Sequence, residues 1–242
     1  MPYALVMGAS GDIGQAVCEK LAGQGWSLYC HYNQQKEKVL NFVSDLQKRY
    51  PQQDFFMVSL DMLKEAEIPH FLQQLFQVDG IVFASGFTFY ELLPETKADQ
   101  MEALWQVHLK TPLLLLQGLQ EKLAVNKNGR VVFIGSVYGH RGSSMETVYS
   151  AVKGAQEAFA KAYAKEVATT LGITVNVVAP GAVQTKMNDN WNPQELSDLK
   201  AEIPLGRLAD PKEIAAACNY LFSKEASYTT GIVLPVAGGW ME

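Results

Sequence analysis

The amino-acid sequence predicts an α/β fold built on a doubly wound parallel sheet with helices on both faces. Three observations predict it. Short β-rich runs alternate with longer amphipathic segments along the chain. Most of the short runs are continuously apolar, as expected for strands covered on both faces. The first run leads directly into a glycine-rich turn that opens a helix. Repeated strand–helix–strand units argue for parallel strands joined by right-handed crossovers.

In chain order, the strand candidates are residues 3–7, 27–32, 54–59, 80–84, 130–135, 173–179 and 231–235. The helical candidates between them are 12–24, 35–49, 64–77, 97–125, 148–171 and 211–223. Residues 181–205 differ: Gly181, Pro193 and Pro204 interrupt a polar stretch that follows a strand end. That pattern predicts a mobile lid over about 182–205 with a short helix inside it.

The chain has 242 residues, 48% of them hydrophobic, enough for one sizeable core. No low-complexity linker or internal repeat divides it. A single domain over 1–242 is expected, with a cofactor half at about 1–130 and a catalytic and substrate half at about 131–242. The net charge is −5 and no basic stripe is present, which argues against a nucleic-acid partner. Cys18, Cys30 and Cys218 have neither metal-ligand nor disulfide-framework spacing. They read as buried reduced thiols, and no metal site is expected. The N-terminal run lacks a basic region, and no apolar run reaches the ~18 residues that span a bilayer. A cytoplasmic protein with no membrane partner is therefore expected.

The glycine turn reads Gly8-Ala9-Ser10-Gly11-Asp12-Ile13-Gly14. Such a turn lets the backbone approach a pyrophosphate, and the following helix offers free N–H groups and partial positive charge. The second strand ends Tyr29-Cys30-His31-Tyr32-Asn33. No Asp or Glu stands there to accept from a ribose 2′-hydroxyl, so NADP(H) is favoured over NAD(H). Lys36 or a protonated His31 would supply charge to a 2′-phosphate. Asp12 is placed to cap the helix, although a carboxylate beside a pyrophosphate is electrostatically awkward.

Tyr-x-x-x-Lys occurs three times, at Tyr32/Lys36, Tyr149/Lys153 and Tyr220/Lys224. Only Tyr149 has a serine thirteen residues upstream; the equivalent positions of the others hold Glu19 and Arg207. That serine, Ser136, follows the apolar run Val131–Ile134 and so lies at a strand's C-terminal end, where open α/β sheets bind ligands. Residues i and i+4 share a helix face, which brings the Lys153 ammonium near the Tyr149 phenol. A nearby positive charge favours phenolate and lowers a pKa of ~10. Tyr149 is then a proton donor to a forming alkoxide, and Ser136 orients the carbonyl. A hydrolase elbow is excluded because Gly135-Ser136-Val137-Tyr138-Gly139 is not G-x-S-x-G, and Gly14-Gln15-Ala16 is no P-loop.

These motifs resemble the short-chain dehydrogenase/reductase family over nearly the whole chain. The family's turn is T-G-x-x-x-G-x-G; Gly8 and Gly14 match it, while Met7 and Asp12 depart. The resemblance implies that Ser10, Gly11 and Ile13 complete the cofactor turn. It also implies that Asp61-Met62 bind the adenine, and that Ala84, Ser85 and Gly86 replace the usual Asn-Ala-Gly beside the cofactor. Lys153 would hold the nicotinamide ribose. Gly172–Gly181 is similar to the family's sixth strand with its Pro180-Gly181 turn against the nicotinamide, and Val183 and Thr185 match positions that hold its carboxamide and the phosphates. His108 stands where the family has a tetrad Asn, whose main-chain carbonyl holds a water that relays protons to the lysine. The family further implies a seven-stranded Rossmann sheet and a homotetramer or homodimer.

The version is most similar to bacterial 3-oxoacyl-acyl carrier protein reductases, implying NADPH-dependent reduction of a ketone, carrier-protein-bound in that family, to an alcohol. The basic residue that often precedes Gly-Ile-Thr-Val-Asn in them is replaced by Thr169-Thr170-Leu171. The changes at Phe83-Ala84-Ser85-Gly86, His108 and Thr169-Thr170-Leu171, with Gly238-Gly239-Trp240, are similar to a subgroup that reduces a 5-aminopentanone group on elongation factor P. A nucleotide-binding regulatory module without turnover is the third reading. A carboxylate above the nicotinamide would point to a cationic amine substrate; an apolar slot would point to an acyl chain.

Overall fold

A computed structural model of the chain describes residues 1–186 and 192–240. In order, the elements begin β1 (Tyr3–Met7), α1 (Asp12–Ala22), β2 (Ser27–Tyr32), α2 (Lys36–Arg49), β3 (Phe55–Ser59), α3 (Ile68–Gln73), β4 (Gly80–Phe83) and α4 (Ala98–Trp105). There follow α5 (Thr111–Ala124), β5 (Gly129–Ile134), α6 (Tyr138–Arg141), α7 (Thr147–Leu171), β6 (Ile173–Pro180), α8 (Pro193–Glu202), α9 (Pro211–Phe222) and β7 (Val233–Val236). The strands form one seven-stranded sheet in the order β3-β2-β1-β4-β5-β6-β7, and every pairing is parallel. The expected doubly wound α/β architecture is therefore the observed one.

The central strands had to be apolar throughout because both faces are covered. In β1, Leu5 and Met7 enter one core cluster, while Ala4 and Val6 enter the other, following the two-residue period of a strand. The first cluster is completed by α3, α5 and α7, the second by α1, α2 and α9. Each fully buried Leu, Val or Phe contributes roughly 1.5–3 kcal/mol. Strand order reverses between β1 and β4, and at such a switch point the C-terminal strand ends leave a crevice.

Two helical expectations change. The 64–77 segment holds only a 3₁₀ turn, Glu65–Glu67, and the short α3, in whose first turn Pro69 sits. Proline is tolerated only there, so the helix proper starts late. The 97–125 segment is split by a π-helical turn, Gln106–Lys110, between α4 and α5. Pro112 has no N–H to give the carbonyl of His108 four residues back, and the ladder is interrupted at that place. Within the expected lid, α8 is the short helix; residues 187–191 of that lid lie outside the described residues. Among the described residues no helix is long and apolar enough to cross a membrane, and no group of three or more His, Cys, Asp or Glu is placed to hold a metal.

Candidate active site

The glycine turn closes on itself at the end of β1. Gly8 has φ +82, and a Cβ there would lie 2.6 Å from the Ser85 nitrogen. A Cβ on Gly14 would lie 2.1 Å from the Gly8 oxygen, so α1 begins against bare backbone. Gly11 is the N-cap and makes no side-chain cap, leaving the first-turn N–H groups of α1 facing the crevice. Ser10 and Ile13 lie within the same turn and helix start.

His31 does not supply charge, contrary to expectation. Its ring is buried; Nδ1 accepts from the Gly8 N–H at 3.0 Å, and Nε2 lies 3.0 Å from the Leu60 oxygen. One tautomer satisfies both contacts, with Nε2–H as the donor. Burial lowers its pKa to about 4, so the ring is neutral and serves to hold the turn. Asp12 does not cap α1 either. It is the first helical residue, and its carboxylate accepts from the Lys186 N–H at 2.9 Å. The cation beside the turn is Lys38, whose Nζ lies 2.5 Å from the Ser10 oxygen and 3.7 Å from the Asp12 carboxylate. Tyr32 is half-buried, whereas Asn33 and Lys36 are exposed after β2.

The other residues expected to meet a cofactor stand at or just after the C-terminal ends of β3, β4 and β6. Asp61 follows β3 and accepts from Leu63 N–H at 3.1 Å, which makes it a turn residue and not a helix cap. Met62 is buried, and its carbonyl accepts from the Thr111 hydroxyl at 2.6 Å. Ala84, Ser85 and Gly86 follow β4, and the Ser85 hydroxyl is buried with no partner among the described residues. Pro180 ends β6, its carbonyl accepting from Val137 N–H; Gly181 N–H donates to Val236, and Val183 is bridged to Ala209. Thr185 lies one residue before Lys186, which is tied to Asp12.

Ser136, Tyr149 and Lys153 converge at the end of β5. The Ser136 hydroxyl accepts from the Tyr138 N–H at 3.1 Å and lies near enough to the Tyr149 phenol to lower its pKa. The Lys153 ammonium lies 5.4 Å from the Tyr149 ring centre and donates to the Ile134 oxygen at 2.7 Å. Lys153 is 3% exposed, and burial lowers its pKa to about 7. The expected lowering of the Tyr149 pKa is overturned in this state. Burial and then the Glu146 charge raise it, and only the Ser136 hydroxyl works the other way. His108 is buried between these groups and Gly86. Its ring meets Tyr149 edge-on at 5.5 Å, and Nε2 lies 2.8 Å from the Phe87 oxygen. Burial and the Lys153 charge lower its pKa to about 3, so the ring is neutral. Its main-chain oxygen accepts from the Gln156 side chain.

A protein-family model described as enoyl-(acyl carrier protein) reductase, from the short-chain dehydrogenase/reductases, matches residues 8–241. The chain is 33% identical over 238 residues to the 3-oxoacyl-[acyl-carrier-protein] reductase FabG of Vibrio cholerae, covering 98% of this chain and 96% of that one. The chain belongs to the short-chain dehydrogenase/reductase family. Another relative of this oxidoreductase is the uncharacterized oxidoreductase YmfI of Bacillus subtilis, 37% identical over 238 residues and 98% of both chains. Among solved structures, a blue fluorescent protein from a metagenomic library, in complex with NADPH, superposes with a TM-score of 0.92. It is 26% identical, over 100% of this chain and 98% of that one.

Three side chains at this short-chain dehydrogenase/reductase site, Lys38, Gln156 and Glu146, escaped the sequence reading, and Trp240 entered it only through the family resemblance. Lys38 lies in the first turn of α2 and meets Ser10 only because β1 and β2 are adjacent. Gln156 lies on the face of α7 that carries Lys153, a signal that i,i+3 spacing contains. Trp240 packs edge-on against Tyr138, with the Arg141 guanidinium 4.7 Å from its ring, so the C-terminal Gly-Gly-Trp run reaches α6, which follows Ser136. Glu146, just before α7, is buried within range of Tyr149 and Tyr138.

Proposed function

We propose that the protein reduces a substrate ketone to a secondary alcohol with NADPH. One observation carries this: Ser136, Tyr149 and Lys153 meet at the crevice into which the glycine turn opens. Gly8 packs against Ser85 and Gly14 against Gly8 too closely for any Cβ, which keeps the turn's backbone bare and tight at the start of α1, as a pyrophosphate bound by backbone N–H groups requires. The unpartnered Ser85 hydroxyl fits a polar ligand there. Gly8, Ser10, Gly11, Ile13 and Gly14 would hold the phosphates, and Asp61 with Met62 the adenine. Pro180, Gly181, Val183 and Thr185 would flank the nicotinamide. Lys38, with no acidic residue at the end of β2, favours a 2′-phosphate.

NADPH, held by the glycine turn and the Pro180-Gly181 turn, would supply the hydride for the carbonyl carbon. The Ser136 hydroxyl donates to the carbonyl oxygen and fixes its direction. Tyr149 gives its phenolic proton to that oxygen as negative charge develops. The Lys153 ammonium steadies the phenolate left behind and would hold the nicotinamide ribose, while the π turn at His108 sets the wall behind both. NADPH oxidation with an acetoacetyl thioester, lost in Tyr149→Phe, tests the reading; cofactor binding without turnover of any ketone overturns it.

Two substrates divide this activity. A 3-oxoacyl group on a carrier protein is supported by the likeness to FabG. A 5-aminopentanone group on elongation factor P is favoured by the buried Glu146 carboxylate beside Tyr149, since that substrate carries an amine. Deleting the gene would leave elongation factor P about two hydrogens lighter, the mass of ketone against alcohol; an unchanged mass removes this substrate. Assembly as a homotetramer or homodimer belongs to the same proposal and is read by sedimentation.

A further inference from the structure

Glu146 is a buried charge without a countercharge. It is 8% exposed and stands at the N-cap position of α7, yet its carboxylate makes no cap hydrogen bond. It turns away from the helix and accepts from the Thr88 hydroxyl at 2.8 Å and the Ser143 hydroxyl at 3.4 Å. Among the described residues no Lys, Arg or His forms an ion pair with it. A glutamine could accept from Thr88 through its oxygen and donate to Ser143, whose own proton has the Ser144 oxygen at 3.0 Å, so these neighbours explain the side chain's position and not its charge.

That charge has costs. Removing a carboxylate from water is unfavourable without a cation. Burial accordingly raises the Glu146 carboxyl, and the two hydroxyls only partly restore it. Burial raises the pKa of both phenols at the site, Tyr149 and Tyr138, and the Glu146 charge adds to that rise. For Tyr149 this opposes the phenolate that proton donation leaves behind. A ligand cation against the carboxylate removes both penalties at once.

We propose that Glu146 is the ammonium receptor of the substrate pocket. The ketone carries a protonated amine that pairs with Glu146, held in place by Thr88 and Ser143, while its carbonyl meets Ser136 and Tyr149. This rests on the ketone-reductase reading and narrows it to cationic ketones. Binding of the amine also frees Tyr149 from an adjacent negative charge, so the right substrate prepares the proton donor.

The test uses two ketones of one shape, 4-(piperidin-4-yl)butan-2-one, cationic at neutral pH, and 4-cyclohexylbutan-2-one, neutral. Wild-type protein with NADPH should favour the cationic ketone in kcat/KM by about tenfold or more, the worth of a charge-assisted hydrogen bond. Glu146→Gln should erase most of that ratio, chiefly by raising KM for the cationic ketone. Glu146→Asp should keep part of it. A wild-type ratio near one, or a ratio that Glu146→Gln leaves unchanged, overturns the proposal. The wild-type ratio decides alone if the variants misfold. If the protein consumes neither ketone nor any other, the reductase reading fails first, and this one with it.

Discussion

Gln156 donates its side-chain amide to the main-chain oxygen of His108 at 2.5 Å, both groups buried. The oxygen accepts from outside its own helix because Pro112 offers no N–H four residues on. The bond fastens α7, which carries Tyr149 and Lys153, to the π turn. It also occupies the carbonyl to which the family resemblance assigns a relay water; that oxygen has a second lone pair, so a water there would share it.

Gln156→Leu should therefore lower the unfolding free energy by about 1–3 kcal/mol, the cost of leaving a buried carbonyl unpaired. Urea denaturation measures it. If Gln156 positions Lys153 as well as stabilising the fold, the basic limb of the kcat/KM–pH profile should also move.

Tyr149→Phe should reduce kcat by about 10²–10⁴-fold, the usual contribution of a positioned proton donor. Stopped-flow NADPH oxidation under saturating ketone gives the number directly. A loss under tenfold would place the proton donor elsewhere.

Lys38 stands beside the Ser10 carbonyl with its charge only partly met by Asp12. Lys38→Ala should weaken NADPH binding by about tenfold and NADH binding much less, since only the former has a 2′-phosphate. Nucleotide fluorescence titration separates the two without turnover. Equal losses would assign Lys38 to the turn's structure alone.

Two neutral buried imidazoles make stability pH-dependent. His31 is lowered to about 4 and His108 to about 3, against 6.5 for the free group. Between about 6.5 and 4 the unfolded chain binds protons that the folded chain does not, so unfolding free energy rises with pH across this window. The contribution is complete above 6.5 and is lost as pH falls. Each imidazole adds a slope of about 1.4 kcal/mol per pH unit. His31→Gln, whose amide can meet both Gly8 and Leu60, should show a shallower slope than wild type in urea midpoints from pH 7 to pH 4.

The sheet was legible because buried strands leave no choice of residue. Runs such as Val131–Ile134 have to be apolar on both faces, and turn glycines have to occupy positions where a Cβ collides. The Ser136–Tyr149–Lys153 set was legible because helix periodicity and a strand end fix it locally. The errors came from what local pattern does not carry. His31 read as a surface cation, yet Phe71, from a later helix, meets its ring edge-on. Glu146 was overlooked because the hydroxyl that orients it comes from Thr88, 58 residues away. The π turn had a visible cause in Pro112, but proline in a helical run marks a start, a kink or an end, and only the packed neighbour decides which.

The Asp12–Lys186 hydrogen bond has a consequence for how the chain matures. It joins groups 174 residues apart, and α1 shares its core cluster with α9. Contacts of such separation form late, after the intervening loop entropy has been overcome. A nascent chain ending near residue 130 would carry every glycine of the first turn, but neither the tether that steadies it nor the helix that backs it. Coenzyme affinity should thus arrive only when the last third of the polypeptide has docked, making nucleotide capture a reporter of complete folding.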